Sequence, residues 1–295
     1  MIQFDKYNNT YVKSNQVLYS QAFKHYVEDV VSNIFLDSQI FDTTNIRLYY
    51  YDDYTLNTNV IENNYATLYV EFDCPENIKK DVGFTKKKEQ KKLLKDYYLD
   101  LKDIRLKLYE ELINYFNSDT MFWLDKYSIR TISNVKESDD SIKNYQFRII
   151  PCFTYVNENN IKGIIYYDNS RTQIEIEYPL RSIENFNEKN IDTNGAYQKT
   201  VLIFKNIYRL SQKITEYLPS EIFEILLYNI PNNIFLVNND DTFIKVFNYL
   251  KNKSIKDFKT LDEQDFAFSS KYKSLSLLYA KKVISVVEKF LKEKI

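Results

Sequence analysis

Glycine is almost missing from this chain: there are three in 295 residues. Loops that cradle a phosphate need glycine where the backbone approaches the ligand or takes positive φ, so no Walker A or Rossmann fingerprint can be written here. Histidine is scarcer still. The single His25 lies in the helical pattern YSQAFKHYVEDVVSNIF and reads as a plain helix residue, which leaves little material for a His-based triad or a zinc site. Two cysteines, Cys74 and Cys152, cannot build a metal cage, and they support no disulfide framework. An excess of one charge is absent too. Forty basic against 41 acidic residues give a net charge of -1, so any contact with nucleic acid must run through local basic patches. No apolar run reaches the roughly 18 residues of a spanning helix, and MIQFDKYNNTYVKSN has no signal-peptide core. The expectation is a soluble, cytoplasmic protein with no membrane partner.

What is abundant is tyrosine and phenylalanine, 27 and 20 of them, among many Asn, Lys and Ile. Coding bias from an AT-rich genome accounts for that usage and makes each Tyr or Lys cluster less informative. Hydrophobic residues at 44% and charged residues at 27% are ordinary globular composition, and the length suits two packed lobes.

Residues 17 to 36 place Val17, Phe23, Val27, Val30, Val31 and Ile34 near helical spacing. The runs NIRLYYYDD (45–53) and NNYATLYVEFDCP (63–75) read as strands that pair with each other. A long helix follows, its apolar stripe running through Leu94, Tyr98, Leu101, Ile104, Leu108 and Leu112. Lys86, Lys87, Lys88, Lys91 and Lys92 at its start read as a solvated face rather than a dedicated phosphate patch. Four further strand-like runs come next, DKYSIRTISNV, YQFRIIPCFTYV, IKGIIYYDN and TQIEIEYP. After Pro179 the text turns helical in GAYQKTVLIFKNIYRLSQKITEYL, PSEIFEILLYNIP, DDTFIKVFNYLKN and SLSLLYAKKVISVVEKFLKEKI. The order implies an α+β lobe at 1–185 and an all-helical lobe at 186–295.

Four stretches carry a family resemblance: RIIPCF (148–153), IEIEYPLRSIENFNEKN (174–190), GAYQKTVLIFKNIYR (195–209) and LPSEIFEILLYNIP (218–231). In this order and spacing the chain resembles the DNA-polymerase-β-like nucleotidyltransferases, in the branch of bacterial CD-NTases, oligoadenylate synthases and cyclic GMP-AMP synthases. The resemblance implies a mixed β-sheet lobe with flanking helices, followed by a helical lobe. It also implies a site of three carboxylates beside a Gly-Ser turn, and bacterial defence as a setting. Lys199 and Lys205 match the helix lysines that approach the triphosphate, and Thr58 and Asn59 match a Thr-Asn step after the turn. The catalytic positions all depart from the pattern. Asp52 and Asp53 stand at the Gly-Ser pair, Tyr65 and Thr67 at the first two aspartates, and Arg148 at the third.

Nucleotidyl transfer in that family uses divalent metals held by oxygen ligands, and a guanidinium repels a metal. Arg148 can instead pair with a local acid or receive a phosphate. The departures read as a nucleotidyltransferase fold that has lost metal-dependent transfer and acts by binding a nucleotide, nucleic acid or protein, with no cofactor. One alternative is an active enzyme that makes (oligo)nucleotide products from NTPs with Mg²⁺ and the displaced acids Glu71 and Asp73. Another is a protein–protein scaffold. A nucleotide or protein partner is favoured by the first reading, with Arg148, Lys199 and Lys205 as candidate contacts.

Overall fold

The computed structural model describes residues 14–36, 46–51, 55–58, 65–73, 87–116, 120–136, 142–168, 173–211, 218–219, 221–235, 239–268 and 276–294. Asp52, Asp53, Asn59, Cys74 and Lys86, singled out above, lie outside the described residues. The chain divides into two compact units. One comprises Lys13–Asp52 and Asn64–Leu180, and the other includes Asp53–Asn63 and Arg181–Ile295. The division falls at 180/181. It also hands a short early segment to the helical unit, because Leu56 and Thr58 are buried there among helices.

The first unit is built on a seven-stranded mixed sheet. Its strands are β1 (Arg47–Tyr50), β2 (Tyr65–Phe72), β3 (Thr120–Leu124), β4 (Ile129–Lys136), β5 (Ile142–Val156), β6 (Lys162–Asp168) and β7 (Gln173–Glu177). The order is β1-β2-β5-β4-β3, with β6 joining the far end of β5 and β7 pairing β6. β1 and β2 pair antiparallel as their sequences imply, and β2 and β5 pair in parallel at the centre. Helices α1 (Ser14–Leu36) and α2 (Lys87–Tyr115) cover one face. Their helical spacing explains this, since Phe23, Val27, Val30 and Val31 from α1 meet Leu101, Ile104, Leu108 and Leu112 from α2 over Leu68, Val70, Phe147 and Ile149. The Phe23 and Phe147 rings stack with centroids 3.8 Å apart.

Proline is rare inside a central strand because it removes a ladder hydrogen bond. Pro151 escapes that penalty by its place on β5. The antiparallel pairing along that edge ends with β4 at Ile149 and resumes with β6 at Phe153. Gly163 on β6 is required by close approach, as a Cβ there would meet the Glu177 carbonyl oxygen and the Tyr178 ring at 2.6 Å.

The second unit packs α3 (Pro179–Asp192), α4 (Ala196–Ser211), α5 (Glu221–Tyr228), the single turn α6 (Asn232–Phe235), α7 (Asn239–Asn252) and α8 (Leu277–Lys294). Their core includes Tyr197, Phe204, Ile222, Leu226, Phe243 and Val287. Two elements go beyond the sequence expectation. β3 is a five-residue edge strand with Met121, Trp123 and Leu124 exposed, so no apolar period marks it. α3 begins on Pro179 itself, at the one helical position where a missing N–H is no loss. The α+β class stands, and among the described residues no helix is long and apolar enough to cross a membrane.

Candidate active site

Strand alternation sends Thr67, Tyr69 and Glu71 of β2 to the sheet face opposite the helices, together with Arg148, Ile150, Cys152 and Thr154 of β5. The parallel register sets Thr67 opposite Arg148, Tyr69 opposite Ile150 and Glu71 opposite Cys152. β1 adds Tyr49 opposite Tyr69 and Arg47 opposite Glu71, while β4 adds Arg130 opposite Arg148. Tyr65 opens β2 opposite Gln146. The two positions assigned above to metal-binding aspartates on different strands, 67 and 148, are therefore cross-strand neighbours.

The middle of this face is aromatic. Tyr69, Ile150, Cys152, Ile164 and Tyr166 form a buried cluster, with Tyr49, Tyr51 and Tyr127 packed against it. Polarity enters through Glu177 at the end of β7, which accepts hydrogen bonds from the hydroxyls of Tyr69 (2.7 Å) and Tyr166 (2.5 Å). Burial, reinforced by the Glu177 carboxylate, pushes both phenols well above their ordinary pKa, so they remain hydrogen-bond donors at neutral pH. Sequence reasoning passed over Glu177. Its signal was the alternation in TQIEIEYP, which puts Glu175 and Glu177 on one face of the strand.

Arg148 is half-buried in this setting. Its guanidinium carbon lies 4.4 Å from the Tyr127 ring centroid, and its positive field opposes the upward shifts of Tyr69, Tyr127 and Tyr166. Asp125 also feels it. Burial pushes that carboxyl up, but the Lys126 amide at 2.7 Å, Arg130 at 2.8 Å and the Arg148 charge outweigh burial and leave it below its usual range. Arg148 thus offsets negative charge on the face.

The displaced acids lie further along β2. Glu71 is only 3% exposed, forms an ion pair with Arg47, and accepts a hydrogen bond from Thr154 Oγ1 at 2.9 Å. Asp73, exposed at the strand end, is 3.5 Å from the same hydroxyl. Thr154 thus commits its one proton to Glu71 with Asp73 nearby, a neighbourhood that β2 alone does not reveal. Burial, reinforced by the charges of Glu71 and Glu177, raises the Cys152 thiol pKa, so it stays protonated.

The helix lysines belong to the other unit. Lys199 is half-buried in the first turn of α4. Lys205 is 3% exposed, and its ammonium is engaged by Glu224 and by Thr58 Oγ1 at 3.1 Å. Its observed contacts are with the interior of its own unit.

Divalent metals are implied by the fold. Among the described residues no group of three His, Cys, Asp or Glu side chains could hold a metal ion. The motif row instead presents a hydroxyl and a guanidinium, and Glu71 is already tied to Arg47. These residues do not fit a carboxylate-bound metal pair.

Residues 184–292 match the family described as the cGAS/DncV-like nucleotidyltransferase C-terminal helical domain. The chain is 32% identical over 200 residues to the cyclic nucleotide synthase CdnE01 of Staphylococcus haemolyticus, covering 61% of this chain and 66% of that protein. It is 34% identical over 126 residues to the cyclic UMP-AMP synthase of Rhodothermus marinus, covering 42% of this chain and 44% of that protein. The matched regions thus span less than two thirds of either relative. The solved structure of the Rhodothermus marinus CdnE c-UMP-AMP synthase superposes with a TM-score of 0.72 at 19% identity, over 98% of this chain and 95% of that one. These relatives are named as synthases. That finding overturns the expectation of a chain that has lost nucleotidyl transfer and acts by binding alone, and it favours the alternative of an active enzyme.

Proposed function

The chain belongs to the cGAS/DncV-like nucleotidyltransferases, and from that premise we propose that it joins nucleoside triphosphates into a cyclic or short oligonucleotide product. The observation that carries this reading is the 200-residue match to a protein named as a cyclic nucleotide synthase. In the reaction, a ribose hydroxyl of one nucleotide attacks the α-phosphorus of a triphosphate, the new P–O bond forms, and pyrophosphate leaves.

On this chain the hydroxyl proton falls to a displaced carboxylate. Asp73 suits the role better than Glu71, because it is exposed at the strand end whereas Glu71 is buried and paired with Arg47. Thr154 donates its one hydroxyl proton to Glu71 and leaves Asp73, 3.5 Å away, without that bond. General-base catalysis by a positioned carboxylate contributes roughly 10²- to 10⁴-fold.

The test incubates purified protein with each labelled NTP, singly and in mixtures, with Mg²⁺ or Mn²⁺, and separates the products. The expected result is a product resistant to phosphatase that falls about 100-fold in Asp73→Asn. No product under any combination overturns the reading. A product unaffected by Asp73→Asn and by Glu71→Gln removes the displaced acids from it.

A further inference from the structure

Thr58 stands 147 positions before Lys205 and 166 before Glu224, yet the three side chains meet inside the helical unit. Thr58 is fully buried, Glu224 is fully buried and Lys205 is 3% exposed. The Thr58 hydroxyl donates to Glu224 Oε1 at 2.5 Å and accepts from Lys205 Nζ at 3.1 Å, while Lys205 also bonds Glu224 directly. Next to them, Gln198 Nε2 donates to the Leu56 and Asn57 carbonyls at 3.0 and 3.2 Å. Asn57 takes φ of 52°, a left-handed value that asparagine tolerates better than most residues. Tyr197 Oη fixes the Glu224 carbonyl at 2.9 Å.

A buried ion pair is a poor device for stability alone, since an apolar pair of similar volume does as well or better. What it adds is direction, because a hydroxyl that must donate to one charge and accept from another can occupy only one place. We propose that Lys205 and Glu224 are a buried anchor that fixes Thr58 and the turn 55–58 for nucleotide binding. This rests on the nucleotidyltransferase reading, in which Thr58 matches the Thr-Asn step that follows the turn expected to approach the phosphates. Lys205 is then a positioning residue that acts through Thr58.

Hydrogen exchange and ligand titration on the full chain test it together. Thr58→Val keeps the shape and the Lys205–Glu224 pair but removes the link. Amides at 55–58 should exchange at least tenfold faster while those of 197–208 and 221–228 keep their protection, and the Kd for the α,β-methylene analogue of ATP should rise about tenfold. Thr58→Ser should restore both values. Where Thr58→Val also loosens the helices, Lys205→Met with Glu224→Leu supplies the same local test on an apolar pair. Unchanged exchange at 55–58 in both variants overturns the anchor, and so does faster exchange with unchanged Kd. Wild-type protein that binds no analogue defeats the nucleotidyltransferase reading instead, and exchange alone then decides whether the anchor exists.

Discussion

Thr67 and Arg148 stand directly opposite each other on the parallel pair β2–β5. Two strands that reach this register by pleat and pairing alone deliver a hydroxyl and a guanidinium to one spot on the sheet. The guanidinium lies against Tyr127, and its charge helps hold Asp125 low and opposes the upward shifts of Tyr69 and Tyr166. Its charge is used locally.

Arg148→Met should therefore destabilise the chain by about 1–2 kcal/mol, through loss of the aromatic contact and of charge balance at a half-buried site. Arg148→Asp should lose more, because it sets a new carboxylate near Asp125 and Glu177. Urea unfolding of both variants at neutral pH gives the ranking, and Arg148→Asp as the more stable variant would contradict it.

The tyrosine cluster predicts steep alkaline unfolding. Burial raises the phenols of Tyr49, Tyr69 and Tyr166 above the ordinary value of 10.0, whereas in the unfolded chain they ionise near it. Above about pH 10 the unfolded state therefore holds fewer protons, and stability falls as pH rises. Each phenol contributes about 1.4 kcal/mol per pH unit to that slope. Tyr69→Phe or Tyr166→Phe should flatten the slope by about that amount. Near neutral pH each should cost about 1–3 kcal/mol, as Glu177 loses one donor.

Much of this arrangement could be read from the chain before any fold. Helical spacing located the residues of α1 and α2 that cover the sheet, and alternation in NNYATLYVEFDCP separated Leu68 and Val70 from Thr67, Tyr69 and Glu71. The remainder depended on long-range partners. Nothing near Glu177 announces the two phenols that bond it, and nothing near Lys205 shows that Glu224 and Thr58 will enclose it. The functional reading erred for a related reason. It let the residues at three motif positions outweigh the displaced acids Glu71 and Asp73, which it held only as an alternative and whose shared neighbour Thr154 comes from another strand.

Lys189 gives the opposite pH signature to the tyrosines. It is buried at the end of α3, where it donates to the Ile230 carbonyl at 2.7 Å and to Asn232 Oδ1 at 2.8 Å amid the rings of Tyr197, Tyr228 and Phe235. Burial lowers its pKa from 10.5 to about 8, with Asp192 opposing the shift. Between those values the unfolded chain binds the extra proton, so stability rises with pH through that window. A gain of about 2 kcal/mol from pH 8 to 10 is expected. The rise should be absent in Lys189→Met, as read by urea midpoints at constant ionic strength.

The last prediction concerns the energetics of the buried pair. Removing one partner leaves the other charge without compensation in an apolar interior, which costs about 3–5 kcal/mol. Lys205→Met and Glu224→Leu should each lower stability by that order, since the side chains of Lys205 and Glu224 are 2% and 0% exposed. The double variant should recover most of the loss, because it replaces two charges by packed apolar groups and leaves only the Thr58 hydroxyl seeking a partner. A double-mutant cycle from thermal or urea unfolding measures the coupling. Additive single losses would mean that the two charges do not depend on each other. Strong coupling with a stable double variant would identify the pair as a device that sets position rather than one that holds the fold together.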